Sequence, residues 1–206
     1  MMDKLEYERK YLAKGCKYIA GVDEVGRGPL AGPVVCCAVI MPLEEENLIA
    51  GVDDSKKISE KKRELLAEKI KQKAVAYVIA QSEAEEIDEI NILSCVKKRM
   101  TEAVKNLSVK PDAILIDGND THLDLDNAEY IVKGDGKSYT VGCASIVAKV
   151  YRDNLMKEYA KEFPEYGFEK HKGYGTKVHI DKIKEIGPCR LHRKTFIKNF
   201  WEEREK

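Results

Sequence analysis

The strongest constraint on this chain is where its acids fall. Three apolar runs that read as β-strands each close on carboxylates: AGVDE at residues 20–24, AILID at 113–117 and EYIVKGD at 129–135. In an open α/β sheet the strand ends are where sites are built. If these ends converge, Asp23, Glu24, Asp117 and Asp135 share a small volume, and their mutual repulsion raises their pKa values. A bound divalent cation relieves that repulsion, and an all-oxygen donor set favours Mg²⁺ or Mn²⁺ over Zn²⁺. Successive strand side chains point to opposite faces. Asp23 and Glu24 therefore reach one ion together only if the chain leaves strand geometry at Glu24, a departure that Gly26 and Gly28 make easy. Taken singly, each acid also fits a turn, Asp117 before Gly118-Asn119 and Asp135 between two glycines. Three such ends in one short chain argue for a shared purpose.

The runs at 18–23 and 33–41 flank a loop of glycine and proline, which predicts a hairpin. Residues 49–59 read as a mostly polar loop, after which Ser59 caps a helix to about residue 73. AVAYVIAQ at 74–81 reads as a strand. Leu93, Val96, Met100, Ala103, Val104 and Leu107 recur at helical spacing. Residues 141–163 form one long helix limited by Pro164, and the remainder continues as loop and shorter helices. Strands first, then alternating helices and strands, imply an α/β fold with a mixed sheet and helices packed on it.

Hydrophobic content of 43% with 35% charged residues excludes a disordered chain. Formal net charge is zero, so an anion-binding surface requires local segregation of charge. No apolar run approaches the length of a membrane span and no secretory leader is evident, so the expected compartment is the cytoplasm. The six cysteines show no C-x-x-C spacing and read as small buried hydrophobes. GDGKS at 134–138 resembles the end of a phosphate-binding P-loop, but Ile131 stands where that motif needs glycine.

GRGPLAGP at 26–33 combines bare backbone with one guanidinium, suited to close approach by a phosphate or to holding a carboxylate. DDSKK at 53–57 offers hydroxyl and ammonium groups of similar use. From Lys170 to Lys198 the basic residues Lys170, Lys172, Lys177, Lys182, Lys184, Arg190, Arg193, Lys194 and Lys198 face only Asp181 and Glu185. His171, His179, His192, Tyr174 and Phe196 are interleaved, with Trp201 just beyond. That mixture suits a nucleic-acid backbone, although a solvated helical face would read the same way.

Six motifs occur in order along the chain: GVDEVGRGPLAGPVV (21–35), DSKK (54–57), LIDGN (115–119), VKGDGK (132–137), ASIVAKVYRD (144–153) and HKGYGT (171–176). Together they resemble ribonuclease HII, the type 2 ribonuclease H family. The resemblance implies an RNase H-like fold over residues 1–206, with about 165–206 as a C-terminal helical substrate-binding extension. It implies a monomeric endonuclease that cuts the RNA strand of RNA/DNA hybrids. It also implies incision on the 5′ side of single ribonucleotides in duplex DNA, with 5′-phosphate and 3′-hydroxyl products, in ribonucleotide and RNA-primer removal. By the same match, Asp23, Glu24, Asp117 and Asp135 are the catalytic ligands of Mn²⁺ or Mg²⁺. Asp153 of YRD also matches an acid that some relatives place at the site. Gly26, Arg27 and Gly28 match the loop that reads the 2′-hydroxyl, and Tyr174 the tyrosine that stacks on the sugar at the RNA–DNA junction. Ser55, Lys56, Ser145 and Lys149 lie in motifs that touch the backbone. Cys143 stands where the family more often has alanine.

Two other readings share these features. One is a binding module that kept the fold and lost turnover; loss of one acid would mark it, and none is lost. The other is a DNA-resolving nuclease of the same broad fold, separable by its cutting of all-DNA duplexes.

Overall fold

The computed structural model describes residues 4–119 and 123–201. Its elements run α1 (Glu6–Leu12), β1 (Ile19–Val25), β2 (Val34–Ile40), α2 (Glu60–Lys73), β3 (Ala76–Ser82), α3 (Ala84–Ile90), α4 (Ile92–Lys105), β4 (Ala113–Asp117), β5 (Ala128–Ile131), α5 (Gly134–Lys137), α6 (Tyr139–Glu162), α7 (Phe168–His171), α8 (Lys177–Ile186) and α9 (Lys194–Ile197). The strands form one mixed sheet in the order β3-β2-β1-β4-β5. β1, β2 and β3 are antiparallel neighbours, while β4 pairs parallel to both β1 and β5.

β2 is buried along its whole length because both of its faces are covered. Val35, Cys37 and Val39 pack with Cys143, Ile146 and Val147 of α6. Val34, Cys36, Ala38 and Ile40 pack with Cys95, Val96 and Met100 of α4. Each large aliphatic side chain buried this way contributes about 1.5–3 kcal/mol. α4 carries the expected periodic face, and its N-terminus is capped by Asn91, whose Oδ1 accepts from the Ser94 N–H at 3.0 Å. α6 lies so close to β1 that a Cβ on Gly21 would sit 2.1 Å from the Thr140 carbonyl carbon. Any side chain at Gly21 would push the helix off the strand that carries Asp23.

Four local expectations need correction. Ser59 precedes α2 as expected, but its hydroxyl caps nothing; the helix starts on the Arg63 N–H to Ser59 carbonyl bond at 2.8 Å. The last acid-tipped run ends as a strand at Ile131. The chain then turns through Lys133 at φ +58°, so Asp135 lies on the short helix α5. Glu24 does not leave strand geometry, since Glu24 and Val25 still pair with Cys36 and Val35, yet Asp23 and Glu24 line one cavity all the same, so the condition set on their meeting was too strict. The departure comes at Gly26, at φ +94°. Residues 84–90, given no element above, form α3, with Ala84 and Ile87 buried.

The C-terminal segment packs through its own cluster, in which Ala31 and Met156 meet Tyr166, Phe168, Ile183, Leu191 and Ile197. Residues 202–206 of the expected extension lie outside the described residues. Among the described residues, no helix is long and apolar enough to cross a membrane.

Candidate active site

The parallel pairing of β1 with β4 ends at Val22 and Ile116. Asp23 and Asp117 follow directly, side by side where the two strands part. Asp23, Glu24, Asp117 and Asp135 all line one cavity of about 250 Å³, together with Val25, Ser55, Lys56, Ser145, Lys149 and Tyr174. Backbone donors hold the acids in place. The Glu24 N–H donates to Asp23 at 2.7 Å, the Gly134 N–H to Asp117 at 2.5 Å, and the Gly136 N–H to Asp135 at 2.8 Å. The turn after β5 thus docks α5 onto β4 through Asp117 itself.

The site is short of positive charge. Burial pushes the Asp23 carboxyl well above the usual range, and the Glu24 and Asp117 charges push it further; the Ser145 hydroxyl and Glu24 N–H pull back. Burial also raises Glu24, against the pull of Arg27, whose Nη1 lies 3.4 Å from Glu24 Oε1. Asp135 is raised by burial and then by Asp117. Lys149 does not answer this deficit, because its Nζ pairs with Asp153 at 2.7 Å, and Arg63 approaches the other Asp153 oxygen at 3.5 Å. Asp153 is thereby satisfied and is absent from the residues that line the cavity.

Among the described residues, no three His, Cys, Asp or Glu side chains are drawn into a tight metal cage. The four acids instead frame an open cavity with excess negative charge and oxygen donors only. That donor set fits a hard divalent cation such as Mg²⁺ or Mn²⁺.

Beside the cavity, two buried arginines hold the glycine-proline loop from within. Arg152 donates to the carbonyls of Pro33 at 2.8 Å, Ala31 at 3.1 Å and Lys172 at 2.9 Å. Arg193 donates to the carbonyls of Gly26 at 2.6 Å, Arg27 at 3.0 Å and Gly32 at 2.8 Å. A Cβ on Gly26 would lie 2.3 Å from Arg152 Nε, so the loop closes on the clamp only with glycine there. Gly28 is exposed, and its nearest neighbour is Tyr174 Cε1, 4.0 Å from where a Cβ would sit. Gly173, next to Tyr174, accepts from the Leu30 N–H at 2.8 Å, which ties the tyrosine's segment to the loop. Ser55 reaches the cavity because Arg63 grips the carbonyls of Ser55 and Ile58, and its hydroxyl meets Ser145 Oγ at 3.0 Å.

A sequence profile of the family described as Ribonuclease HII matches residues 20–203. The chain belongs to the ribonuclease HII family. It is 52% identical over 184 residues to the ribonuclease HII of Clostridium perfringens strain 13, covering 89% of this chain and 68% of that protein. It is 48% identical over 194 residues to the ribonuclease HII of Caldicellulosiruptor bescii, covering 94% and 93%. The crystal structure of ribonuclease H2 from Pyrococcus horikoshii OT3 superposes with a TM-score of 0.76 at 27% identity, covering 89% of this chain and 97% of that one. As a member of that family the chain is a ribonuclease H, an endonuclease and hydrolase acting on RNA/DNA substrates.

The basic C-terminal stretch divides in two. Lys170, Lys177, Lys184 and Lys198 are exposed. Arg193, His179 and His192 are buried, and Phe196 and Trp201 pack into the core. Those five are corrections to a reading of the whole stretch as one surface for a nucleic-acid backbone. Sequence reasoning missed Arg152 and Arg63 as supports of the site. The helical register of Arg152 with Met156, one turn on, was the available signal.

Proposed function

We propose that this chain cuts the RNA strand of RNA/DNA hybrids and incises on the 5′ side of single ribonucleotides embedded in duplex DNA, leaving 5′-phosphate and 3′-hydroxyl ends. The work this suits is removal of ribonucleotides and RNA primers during DNA replication and repair. One observation carries the reading: the four carboxylates and Tyr174 line the same cavity, with Gly28 of the glycine loop against the tyrosine ring.

Asp23, Glu24, Asp117 and Asp135 would hold Mg²⁺ or Mn²⁺. A divalent ion there supplies Lewis acidity toward a phosphate oxygen and lowers the pKa of water. The chain's own residues do the rest. Asp23 and Asp117, fixed by backbone N–H groups, set where charge is concentrated. Gly26, Arg27 and Gly28 present the loop to the 2′-hydroxyl, the group that separates RNA from DNA. Arg193 occupies the Gly26 and Arg27 carbonyls and so fixes the tilt of those peptide planes. Tyr174, 42% exposed, offers its ring to the sugar at the junction. Lys56 supplies positive charge at the cavity wall and Ser55 and Ser145 hydroxyl groups for the phosphate backbone, with Lys149 beside them in its pair with Asp153.

The test is incubation with a duplex holding one ribonucleotide, with Mg²⁺ or Mn²⁺ and beside a chelator-treated control. Metal-dependent incision on the 5′ side of the ribonucleotide is expected. No incision above background in either sample refutes the reading. Equal cutting of an all-DNA duplex would favour a DNA-resolving nuclease instead.

A further inference from the structure

We propose that His179 and His192 are positioning residues that set the backbone of Tyr174 through a one-way chain of hydrogen bonds running from Cys189. The inference rests on reading Tyr174 as the residue that stacks on the substrate.

Both rings are buried, and with both neutral the closest partners place the protons. His179 Nδ1 lies 2.9 Å from the Tyr174 carbonyl oxygen, which can only accept, so Nδ1 carries the hydrogen. A neutral imidazole has one N–H, so His179 Nε2 is an acceptor. It faces His192 Nε2 at 3.0 Å, which must donate. His192 Nδ1 is then bare and accepts the Cys189 N–H at 2.9 Å, the closer of its two Cys189 neighbours, the carbonyl oxygen lying at 3.2 Å. With both rings neutral, the three bonds point the same way.

His171 holds the other flank of the tyrosine. Its Nδ1 accepts the Gly173 N–H at 3.2 Å, and its Nε2 lies 2.8 Å from the Tyr166 carbonyl. Its ring stacks on His179 at 4.4 Å between centroids. Tyr166 and Phe168 wall the group in. The imidazoles thus grip the Gly173 N–H and the Tyr174 carbonyl, while the Gly173 carbonyl is tied to Leu30. Burying imidazoles costs free energy unless their bonds are complete. Apolar side chains would fill the same space without fixing either backbone group.

The geometry makes opposite demands at the two positions. At His179 the essential donor is Nδ1, whose place an asparagine amide can take. At His192 the essential donor is Nε2, whose place a glutamine amide can take. His179→Asn, His179→Gln, His192→Asn and His192→Gln are each assayed for KM and kcat on a duplex with one ribonucleotide, beside Tyr174→Ala and with melting temperatures recorded. His179→Asn and His192→Gln are expected within about twofold of the parent KM. His179→Gln and His192→Asn are expected to raise KM about tenfold, the scale of losing one aromatic stack, with kcat less affected. Combining either impaired change with Tyr174→Ala should add nothing.

Asparagine and glutamine behaving alike at both positions overturns the proposal, as does full additivity with Tyr174→Ala. If one variant fails to fold, the contrast at the other position decides by the same criterion. Tyr174→Ala with an unchanged KM removes the stacking reading and this proposal with it. An impaired Tyr174→Ala beside four unimpaired histidine variants removes this proposal alone.

Discussion

The Arg193 guanidinium meets the Gly26 carbonyl at 2.6 Å although 167 residues separate the two in the chain. The same fork takes the carbonyls of Arg27 and Gly32. Burial pushes the Arg193 pKa down to about 9, and the neighbouring Arg152 charge adds to the shift. Backbone carbonyl dipoles therefore hold this cation against its desolvation. Lysine keeps the charge but not the planar fork, so Arg193→Lys leaves at least one carbonyl unmet. It is expected to destabilise the fold by about 2–4 kcal/mol and to lower the melting temperature by roughly 5–15 °C. Thermal unfolding by circular dichroism measures this, and a parental melting point would show that the clamp contributes nothing.

Asp117 has two duties that one substitution separates. Its Oδ1 accepts the Gly134 N–H, a bond the oxygen of an asparagine amide can keep. Its charge, crowded against Asp23 and Asp135, cannot be kept. Asp117→Asn is expected to fold normally and bind a ribonucleotide-containing duplex at near-parental affinity. Incision should fall roughly a thousandfold, the scale of losing several kcal/mol of transition-state stabilisation. Electrophoretic mobility shift and incision of one labelled duplex report the two duties separately. Parental cutting would take Asp117 out of the reacting centre.

The acids were legible in the sequence because a carboxylate that closes an apolar run is costly to bury unless it is used. Their elements were less so. Asp135 was read onto a strand because EYIV has β character, yet the glycine at 134 and the left-handed Lys133 start a helical turn instead. Polarity turned inward left the weakest trace. Arg193, His179 and His192 sit among exposed lysines, and periodicity cannot tell a cation in water from one satisfied by carbonyls at residues 26–32. That distinction depends on pairings between distant parts of the chain. The motif resemblance, which encodes such pairings without displaying them, found Tyr174 but not the histidines behind it.

Glu8 joins the first helix to the longest one. It is fully buried and accepts from the Ser138 hydroxyl at 2.6 Å, the Thr140 N–H at 2.9 Å and the Thr140 hydroxyl at 2.9 Å. Those donors lie at the N-terminus of α6, where a negative charge is favoured by the helix dipole. Glu8→Ala strands these donors beside Gly21, where α6 touches β1. A loss of about 2–4 kcal/mol is expected, with Glu8→Gln losing less because an amide oxygen can still accept. Urea denaturation of the two variants checks the order. Equal midpoints for Ala and parent would mean that α1 does not brace α6.

Acid should loosen the C-terminal segment through the same histidines that are proposed to hold Tyr174. Burial pulls both His179 and His192 down to about 4, from an ordinary 6.5. Between those values the unfolded chain takes up protons that the native chain refuses, so stability falls as pH falls. Their contribution is complete above about pH 6.5 and declines below it, by about 3 kcal/mol for the pair between pH 7 and pH 5. The raised carboxylates Asp23, Glu24 and Asp135 act in the opposite sense, so the histidines show in a difference. The stability of His192→Gln relative to the parent should improve on going from pH 7 to pH 5, because glutamine cannot titrate. Denaturant midpoints at the two pH values measure that difference. A gap between variant and parent that does not change with pH would mean that the native chain does not resist protonation of His192.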